Sequence, residues 1–425
     1  MKLLIKNGRV VDPSSGTDET LDILIEKGKI VEVSSKIDSD APRIIDASRL
    51  VVAPGFIDMH VHLREPGYED KETIASGSMA AAKGGFTSIC CMPNTNPVND
   101  SRGVTEYILS EAKKTAVVNV FPIAAITKGL KGEELVDMAD LIGAGAVAFS
   151  DDGRPVQNSL IMRRALEYSQ FLNALIIDHC EDKSLSEEGV MHEGYYSYLL
   201  GLKGIPASAE EIMVNRDLIL AEKAGARIHI AHLSVGGAIR SVAEAKERKV
   251  RVTAEATPHH LVLTDAALES YDPNLKVNPP LRTKEDVQAL IEAAKTGVVD
   301  VLATDHAPHT PEEKDVEFDK APFGIDGLET AVSIILDRLV NKNVISLSRF
   351  IEMSSTAPAR ILGLASKGRV ATGADADLTI LNLHKEVVVD VGHFRSKSRN
   401  NPFANWKLKG TPVMTIVGGK IVYPF

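Results

Sequence analysis

Histidine residues with metal-ligand spacing occur near residue 60. His60 and His62 are two residues apart, and a β-strand places residues i and i+2 on the same face. Two imidazoles on one face can share a metal ion, whereas the alternative is a pair of core histidines held by hydrogen bonds. Asp58 lies on that face one step deeper, where a carboxylate orients a ligating histidine or has a structural role alone. The sequence therefore indicates a metal centre at this strand end.

Further strand ends carry side chains of the same types. These side chains are Asp151, Asp152, His179, His232 and Asp305. Adjacent residues at a strand end face opposite ways, so at most one of the two neighbouring aspartates enters the site, and helix capping is the alternative for the pair. Nitrogen and oxygen ligands without thiolates suit Zn²⁺ or a similar divalent ion. The candidates outnumber the three or four ligands of one zinc ion, which favours a binuclear site.

The elements that must position these residues alternate between strand and helix. Short apolar runs predict strands at 56–62, 86–91, 117–125, 146–150, 174–179, 227–232, 250–256 and 299–305. Helical periodicity occupies 71–83, 102–114, 133–143, 159–172, 208–224, 235–248 and 284–295. This alternation predicts a TIM-like (β/α)8 barrel, in which catalytic residues occupy the C-terminal strand ends. A doubly wound sheet would also alternate, but no Gly-rich phosphate loop follows the first strand.

The two ends of the chain have similar sequence patterns. Short β-like runs lie at 2–6, 22–26 and 30–34, and again at 377–382, 386–390, 413–417 and 420–423. We therefore predict a catalytic barrel at 55–366 and one small β-sandwich domain built from both termini, 1–54 and 367–425. The polar segment 394–405 is predicted to be a solvated or interdomain loop.

Composition excludes several classes of protein. Lys and Arg number 48 against 58 Asp and Glu, a formal net charge of −10 without a long basic run, which argues against a nucleic-acid binder. No stretch reaches the roughly 18 apolar residues of a membrane helix. Three cysteines without a CxxC motif make a disulfide framework unexpected and favour a reducing cytoplasm.

Two stretches resemble signature sequences of dihydroorotases, a family of the amidohydrolase superfamily. They are GFIDMHVHLREPG at 55–67 and ATDHAPHTPEEK at 303–314. MPNTNPV (92–98), NPPLR (278–282) and APFG (321–324) are similar to further landmarks of the bacterial long-chain type I members. The resemblance covers essentially the whole chain, including the split β domain. The HxH pair and the aspartate of strand eight occur throughout the superfamily, whereas their combination with MPNT, NPPLR and DHAPH is specific.

The resemblance implies a set of metal ligands. His60, His62 and Asp305 would hold one ion, and His179 and His232 would hold a second. Many relatives bridge the two ions with a carboxylated lysine, but the fourth strand has no lysine here. The second aspartate of the DDG motif, Asp152, matches the bridging position instead. The implied cofactor is Zn²⁺, with one or two ions per subunit.

The resemblance also implies the catalytic and substrate-binding residues. Divalent cations lower the pKa of bound water from about 15.7 to about 7, and Asp305 would take its proton and pass it to the leaving ring nitrogen. Arg64 would hold a substrate carboxylate through two hydrogen bonds. The other implied substrate contacts are His62, Asn94, Asn278, His309, Phe323 and Gly324.

These inferences predict a metal-dependent cyclic amidohydrolase that interconverts N-carbamoyl-L-aspartate and dihydroorotate in pyrimidine synthesis. An allantoinase or dihydropyrimidinase-like ring opener is the closest alternative, although a carboxylate grip by Arg64 and Asn94 makes less sense for an uncharged ring. A non-catalytic scaffold that binds aspartate carbamoyltransferase is an alternative from another class. Lost ligands would mark such a scaffold, and here the set is intact. The resemblance also allows a homo-oligomer and an association with aspartate carbamoyltransferase.

Two features near the predicted site have more than one interpretation. The segment 310–322 is long, charged and bounded by prolines, so it is either a mobile lid that excludes water or an exposed loop. His309 at its start is a substrate contact by the resemblance, or else a solvated loop residue. His259 and His260, at the end of predicted strand seven, are interpreted as structural.

Overall fold

The chain begins with five β-strands, β1 (Lys2–Asp12), β2 (Thr17–Glu26), β3 (Lys29–Ser34), β4 (Arg43–Asp46) and β5 (Val51–Pro54). In this computed structural model, which describes residues 2–424, β1 pairs antiparallel with β2 and parallel with β4 and β5. Leu3 and Ile5 of β1 are buried together with Ile23 and Ile25 of β2. Each pair is spaced by two residues, so it lies on one face of its strand and buries that face of the sheet.

Ten strands follow in the middle of the chain. They are β6 (Phe56–Val61), β7 (Phe86–Cys91), β8 (Asn119–Ala124), β9 (Ala148–Ser150), β10 (Leu175–Asp178), β11 (Met191–His192), β12 (Gly204–Ile205), β13 (Arg227–Ile230), β14 (Val252–Ala256) and β15 (Val301–Leu302). All except β11 and β12, which pair with each other, form an eight-stranded parallel sheet in chain order. A parallel bridge between Val61 and His306 brings the last strand beside the first. The predicted barrel is thus confirmed.

Three final strands, β16 (Leu378–Val388), β17 (Lys407–Val417) and β18 (Lys420–Tyr423), return to the sheet of the N-terminal strands. Its order is β18-β17-β16-β5-β1-β2-β3, with β4 beside β1. The two ends of the chain join where β16 pairs antiparallel with β5. The terminal strands therefore form one separate sheet domain, as predicted, while the boundaries 1–54, 55–366 and 367–425 remain a proposal.

The helices lie mainly between the barrel strands. Their bounds are α1 (Ile74–Gly84), α2 (Arg102–Thr115), α3 (Met138–Ala144), α4 (Ser159–Phe171), α5 (Lys183–Ser186), α6 (Tyr195–Leu200), α7 (Ser208–Ala224), α8 (Gly236–Glu247), α9 (Pro258–Val262), α10 (Lys284–Thr296), α11 (Pro311–Lys314), α12 (Ala331–Ile335), α13 (Leu347–Ile351) and α14 (Ala357–Leu362). Within residues 2–424, none of these helices combines the length and the apolar character needed to span a bilayer.

Local sequence explains how strand and helix alternate. All six residues of β6 are buried, because a parallel barrel strand is covered on both faces. Thr73 caps the start of α1 by accepting a hydrogen bond from the Ser76 backbone, and Gly85 ends the helix in the left-handed conformation with φ of 93°. The chain therefore turns directly into β7, and the C-terminal ends of the strands collect at one rim of the barrel.

The structure departs from the sequence prediction at the C-terminal hairpin. Predicted strands 377–382 and 386–390 are one strand, β16. The segment 389–406 between β16 and β17 packs against the barrel, which agrees with the interdomain alternative predicted for 394–405 and not with a solvated loop. Phe394 and Phe403 are buried in a cluster with Phe318 and Ile325 of the barrel. Polar side chains can be buried in this segment because Ser396, Asn400 and Asn401 form hydrogen bonds to barrel residues. Composition does not reveal this pairing.

Candidate metal and substrate site

Four imidazoles and two carboxylates converge at the C-terminal rim of the barrel. His60 Nε2 lies 3.4 Å from Oδ1 of both Asp152 and Asp305. His62 Nε2 is 3.2 Å from Asp305 Oδ1 and 3.5 Å from Asp152 Oδ2. The structure thus brings together side chains from strands that are far apart in sequence, and each of them lies at or just beyond the end of its strand.

Asp152 occupies the middle of this cluster. Its Oδ1 is 3.6 Å from His179 Nδ1 and 3.8 Å from His232 Nε2, in addition to its contact with His60. Asp151 faces the other way and accepts hydrogen bonds from the backbone amides of Ile126 and Thr127. Only one of the two aspartates therefore enters the site, which follows from the alternation of side chains at a strand end.

The cluster fits a divalent cation. His60, His62 and Asp305 each offer a ligand atom within 4.8 Å of the others, and so do His60, Asp152 and His232. His60 Nε2 and Asp152 Oδ1 are buried, and neither has a hydrogen-bond partner among residues 2–424. Buried polar atoms are almost always satisfied, so unpaired ligand atoms that face one another indicate a bound ion.

The electrostatics of the cluster support the same interpretation. Burial lowers the pKa of His60, but the carboxylates of Asp152, Glu255 and Asp305 outweigh it and hold that pKa well above its usual value. Burial raises the pKa of Asp305, yet His60 and His62 bring it down to about 2. The carboxylates are therefore ionised, and a positive charge, from protons on the imidazoles or from a metal ion, is needed to balance them.

Glu255 of β14 contacts the imidazole of His60, one of the residues predicted to bind metal, although the sequence analysis did not single Glu255 out. One oxygen of its fully buried carboxylate is 2.7 Å from His60 Nδ1, and the other is 3.0 Å from His229 Nε2. A carboxylate on the remote nitrogen of a ligating histidine fixes its tautomer and ring orientation. A glutamate within a predicted buried strand could have indicated such a contact from the sequence, because carboxylates are rarely buried without a partner.

Asp58, the residue that the sequence suggested for that role, is structural. Its carboxylate accepts hydrogen bonds from the backbone amides of His60 at 3.0 Å and Thr304 at 3.2 Å. Burial raises the pKa of Asp58 to about 7. These bonds tie β6 to the end of β15. Among the hydrogen bonds of residues 2–424, none joins the Asp58 carboxylate to an imidazole.

His179 is held by a second acidic residue that the sequence analysis missed. Its Nε2 lies 3.0 Å from Glu181 Oε2, and the Asn278 amide donates to the same oxygen at 3.0 Å. Burial alone would lower the pKa of His179, but Asp152 and Glu181 raise it to about 9. Cys180, between them, turns away toward Asp178 and Asp217, as expected for adjacent residues.

The cluster forms the floor of a cavity of about 870 Å³. Of the residues predicted to contact substrate, the structure places His62, Arg64, Asn94, Asn278, His309, Phe323 and Gly324 in the cavity wall. Asn94 is held by His62, whose Nδ1 lies 2.9 Å from Asn94 Oδ1. Arg64 donates from Nε to the Pro308 carbonyl at 3.2 Å, and that is the one hydrogen bond of its guanidinium within residues 2–424. Its outer nitrogens are left for a ligand.

The segment 310–322 is folded down beside this cavity. Thr310 and Glu313 form a capping box at α11, and Glu313 Oε2 lies 2.8 Å from His309 Nδ1. Lys314 is buried, and its ammonium group donates to the carbonyls of Pro273 at 3.0 Å and Pro322 at 2.8 Å. Lys314, Phe318 and Ala321 are buried while most other residues of the segment are exposed, so it is a surface loop anchored at a few points. His309 is buried at its base, and the mobility of the segment stays a prediction.

Three further histidines lie near the rim. His306 lies 3.0 Å from Asp326 and 3.2 Å from Glu72 through its two ring nitrogens. His260 Nε2 is 2.9 Å from the Pro279 carbonyl oxygen. These contacts are consistent with structural roles for His306 and His260. His259 is buried, burial lowers its pKa to about 4, and its Nε2 has no hydrogen-bond partner among residues 2–424, so its structural role stays a prediction.

Models of two known protein families match successive parts of the chain. A family model described as dihydro-orotase-like matches residues 48–237, and a model described as amidohydrolase family matches residues 221–423. The first covers β6 to β13, and the second covers the remainder of the barrel and the C-terminal strands.

The chain is also similar to individual proteins over its whole length. A dihydroorotase of Pelotomaculum thermopropionicum is 56% identical over 99% of this chain and 98% of the relative, and one of Syntrophus aciditrophicus is 52% identical over 100% and 99%. Among solved structures, an L-hydantoinase (dihydropyrimidinase) from Arthrobacter aurescens aligns with a TM-score of 0.89 at 28% identity, over 99% of this chain and 95% of that one. On these grounds the chain belongs to the dihydroorotase family of the amidohydrolase superfamily.

Proposed function

We propose that this chain catalyses the reversible conversion of N-carbamoyl-L-aspartate to (S)-dihydroorotate in de novo pyrimidine synthesis. The observation that carries the proposal is one cavity in which a cluster of metal-ligand side chains faces an arginine with free donors. Ring closure joins a carboxylate carbon to a ureido nitrogen, and a second carboxylate stays unchanged throughout. A site for this reaction needs a centre that activates a carbonyl group and a cationic side chain that binds a carboxylate. The metal-ligand cluster and Arg64 would supply them in the same cavity.

The proposed cofactor is Zn²⁺, one or two ions per subunit. His60, His62 and Asp305 would hold one ion, His179 and His232 the other, and Asp152 would bridge them. Support comes from the nitrogen and oxygen donor set and from the central position of Asp152, whose oxygens face all four imidazoles. When bound, such an ion polarises a carbonyl and lowers the pKa of water.

Asp305 is the proposed proton carrier. In ring opening, its carboxylate takes a proton from the attacking water and gives it to the ring nitrogen as the carbon–nitrogen bond breaks. In ring closure, the same group removes the proton from the ureido nitrogen as the carbon–nitrogen bond forms, and passes it to the carboxylate oxygen, which leaves with a solvent proton as water. Its carboxylate lies beside His60 and His62 at the cavity floor, and these imidazoles lower its pKa and keep it ionised.

Arg64 and Asn94 would bind the carboxylate that does not react. Arg64 has free guanidinium nitrogens and stands in the same wall as Asn94, so a carboxylate between them receives charge-assisted hydrogen bonds. Asn278, His309 and the backbone at Phe323–Gly324 would surround the ring from the other side of the cavity. His62 would contribute to both the metal and the substrate.

The proposal extends to the setting of the enzyme. A cytoplasmic location is supported by three buried, unpaired cysteines, which a reducing compartment preserves. A homo-oligomer is supported by exposed apolar side chains on the outer helices, such as Phe171 of α4 and Ile219 of α7. Association with aspartate carbamoyltransferase is proposed from the family resemblance; gel filtration with and without that enzyme tests both interactions.

A dihydropyrimidinase-like or hydantoinase-like ring opener is the second candidate, because solved structures with those names share the fold at 24–28% identity. Metal content and turnover of dihydroorotate, allantoin and dihydrouracil by the purified protein decide between the candidates. We expect turnover of dihydroorotate alone. Turnover of dihydrouracil without dihydroorotate would refute the proposed function, and binding without any turnover would favour a non-catalytic scaffold.

A further inference from the structure

The loop after β15, which carries His309, and the backbone at Phe323–Gly324 are joined to the barrel at a few points. The His62 amide donates to the His306 carbonyl at 2.8 Å, and the Gly324 amide donates to the Lys276 carbonyl at 2.9 Å. His309 Nε2 lies 2.9 Å from the Phe323 carbonyl oxygen, and Ala307 N donates to the Ile325 carbonyl at 2.9 Å. The two segments thus hold each other, and a further contact from outside the barrel fixes the backbone at His309 and Gly324.

Asn400 supplies this outside contact. It belongs to the segment 389–406 between β16 and β17 and is almost fully buried, with 3% of its surface exposed. Its side-chain Oδ1 accepts a hydrogen bond from the His309 backbone amide at 3.1 Å. Its Nδ2 donates to the carbonyls of Gly324 at 2.9 Å and Ala307 at 3.2 Å.

The geometry at Gly324 makes this contact sensitive to small shifts. Gly324 has φ of 144°, and a Cβ atom there would lie 2.7 Å from the Ala307 carbonyl oxygen and 3.1 Å from His309 Cδ2. Backbone and imidazole therefore pack without spare room, and loss of the Asn400 amide would remove a hydrogen bond from each segment at this close contact. The Asn400 carbonyl also accepts from Asp326 N at 3.0 Å, which holds the end of the same segment.

We propose that Asn400 is a positioning residue for substrate binding, by which the C-terminal segment fixes His309 and the Phe323–Gly324 backbone in the orientation that receives the substrate. The inference rests on the proposed function, since it takes these groups as substrate contacts. Asn400 contacts neither the metal ligands nor, by this assignment, the substrate. Its loss should therefore weaken substrate binding more than it slows the chemical step.

The neighbouring residue provides a matched control. Asn401 is equally buried, but its Nδ2 donates to the Asp326 carbonyl at 2.5 Å and to Thr330 Oγ1 at 3.2 Å, and its Oδ1 accepts from Phe403 N at 2.9 Å. It makes none of its side-chain bonds to residues 307–309 or 324. Asn400→Ala and Asn401→Ala each remove one buried amide from the same segment. Only Asn400→Ala removes hydrogen bonds from residues 307, 309 and 324.

The experiment is steady-state kinetics of the zinc-loaded full-length protein on dihydroorotate, with metal content and melting temperature measured for each variant. We expect Asn400→Ala to raise KM by on the order of tenfold with kcat changed less than threefold, because one or two ordinary hydrogen bonds to the substrate account for about that factor. Asn401→Ala should leave KM within twofold of wild type. Metal content should be unchanged in both.

Two results would overturn the inference: a KM within twofold of wild type for Asn400→Ala, or an equal KM increase in Asn401→Ala. If Asn400→Ala does not fold, Asn400→Asp replaces it, because it keeps the size and the acceptor for His309 N but loses the donor to Gly324 and Ala307. The same KM criterion applies to it. Wild-type protein that fails to turn over dihydroorotate would instead refute the proposed function, and the inference with it.

Discussion

Glu255 provides the sharpest test of how the protein orients its metal ligands. Its carboxylate lies 2.7 Å from His60 Nδ1, so the remaining nitrogen of His60 is directed at Asp152 and Asp305. Glu255→Gln preserves the size of the side chain and one oxygen but removes the negative charge. The imidazole then loses a charge-assisted partner while the packing around it stays nearly the same.

The size of the effect follows from hydrogen-bond energies. A hydrogen bond to a charged group contributes about 1.5–3 kcal/mol and one between neutral groups about 0.5–1.5 kcal/mol, so the exchange costs on the order of 1–1.5 kcal/mol. This corresponds to about a tenfold loss of metal affinity, at the lower end of the roughly 10–100-fold typical for such outer contacts. Loss of the second contact, to His229, would move the value toward the upper end.

The assay is competition for Zn²⁺ between metal-depleted protein and a chromogenic chelator of known affinity. Asp58→Asn is the matched control, because Asp58 is also a fully buried carboxylate but bonds the backbone amides of His60 and Thr304. We expect Asp58→Asn to lower the melting temperature while metal affinity stays within about threefold. Unchanged affinity in Glu255→Gln, or an equal loss in both variants, would refute this account of ligand orientation.

Four further outcomes are expected. Asp305→Asn should remove most turnover in both directions with the circular dichroism spectrum unchanged; near-normal kcat would exclude Asp305 as the proton carrier. Arg64→Ala should raise KM for dihydroorotate by on the order of tenfold or more, because a charge-assisted hydrogen bond is lost, and an unchanged KM would contradict the carboxylate assignment. Burial and the nearby Lys276 lower the pKa of Lys314 from 10.5 to about 7. Protonation of Lys314 therefore reduces the free energy of unfolding by its full amount below pH 7, and this reduction disappears as the pH rises to 10.5. The urea-unfolding free energy of wild type minus that of Lys314→Met should therefore increase between pH 7 and 10.5, whereas a flat difference would contradict the shift. Prolonged chelation should lower the melting temperature, and Zn²⁺ should restore it; a chelator-insensitive transition would argue against a resident ion.

Much of the fold was predictable because its signals are local. Apolar runs of strand length alternate with helical periodicity, and His60, His62, His179, His232 and Asp305 each stand where such a run ends. Parallel barrel strands end at one rim, so residues at the strand ends meet whatever their distance in sequence. The choice of Asp152 over Asp151 depended on the family resemblance, because alternation predicts that one enters but not which.

The contacts that support the site were not predictable in the same way. Glu255 reaches His60 across the barrel interior, and Asn400 reaches His309 from a different domain. Neither pair has a fixed sequence spacing, and the polar character of 394–405 left a solvated and an interdomain loop equally open. Which buried polar groups satisfy one another is decided by tertiary packing, which hydropathy along the chain does not encode.

The joining of the two chain ends in one sheet has a consequence for synthesis on the ribosome. β5 finds its antiparallel partner only in β16, where Pro54 pairs with Leu378, so most of the polypeptide must emerge before that edge is covered. Until then β5 offers unpaired backbone groups to other nascent chains, the condition under which strands aggregate. Asn400 emerges later still. The growing chain can therefore complete its barrel while the edge of the terminal sheet is still uncovered and the loops that carry His309 and Gly324 still lack their contact with Asn400.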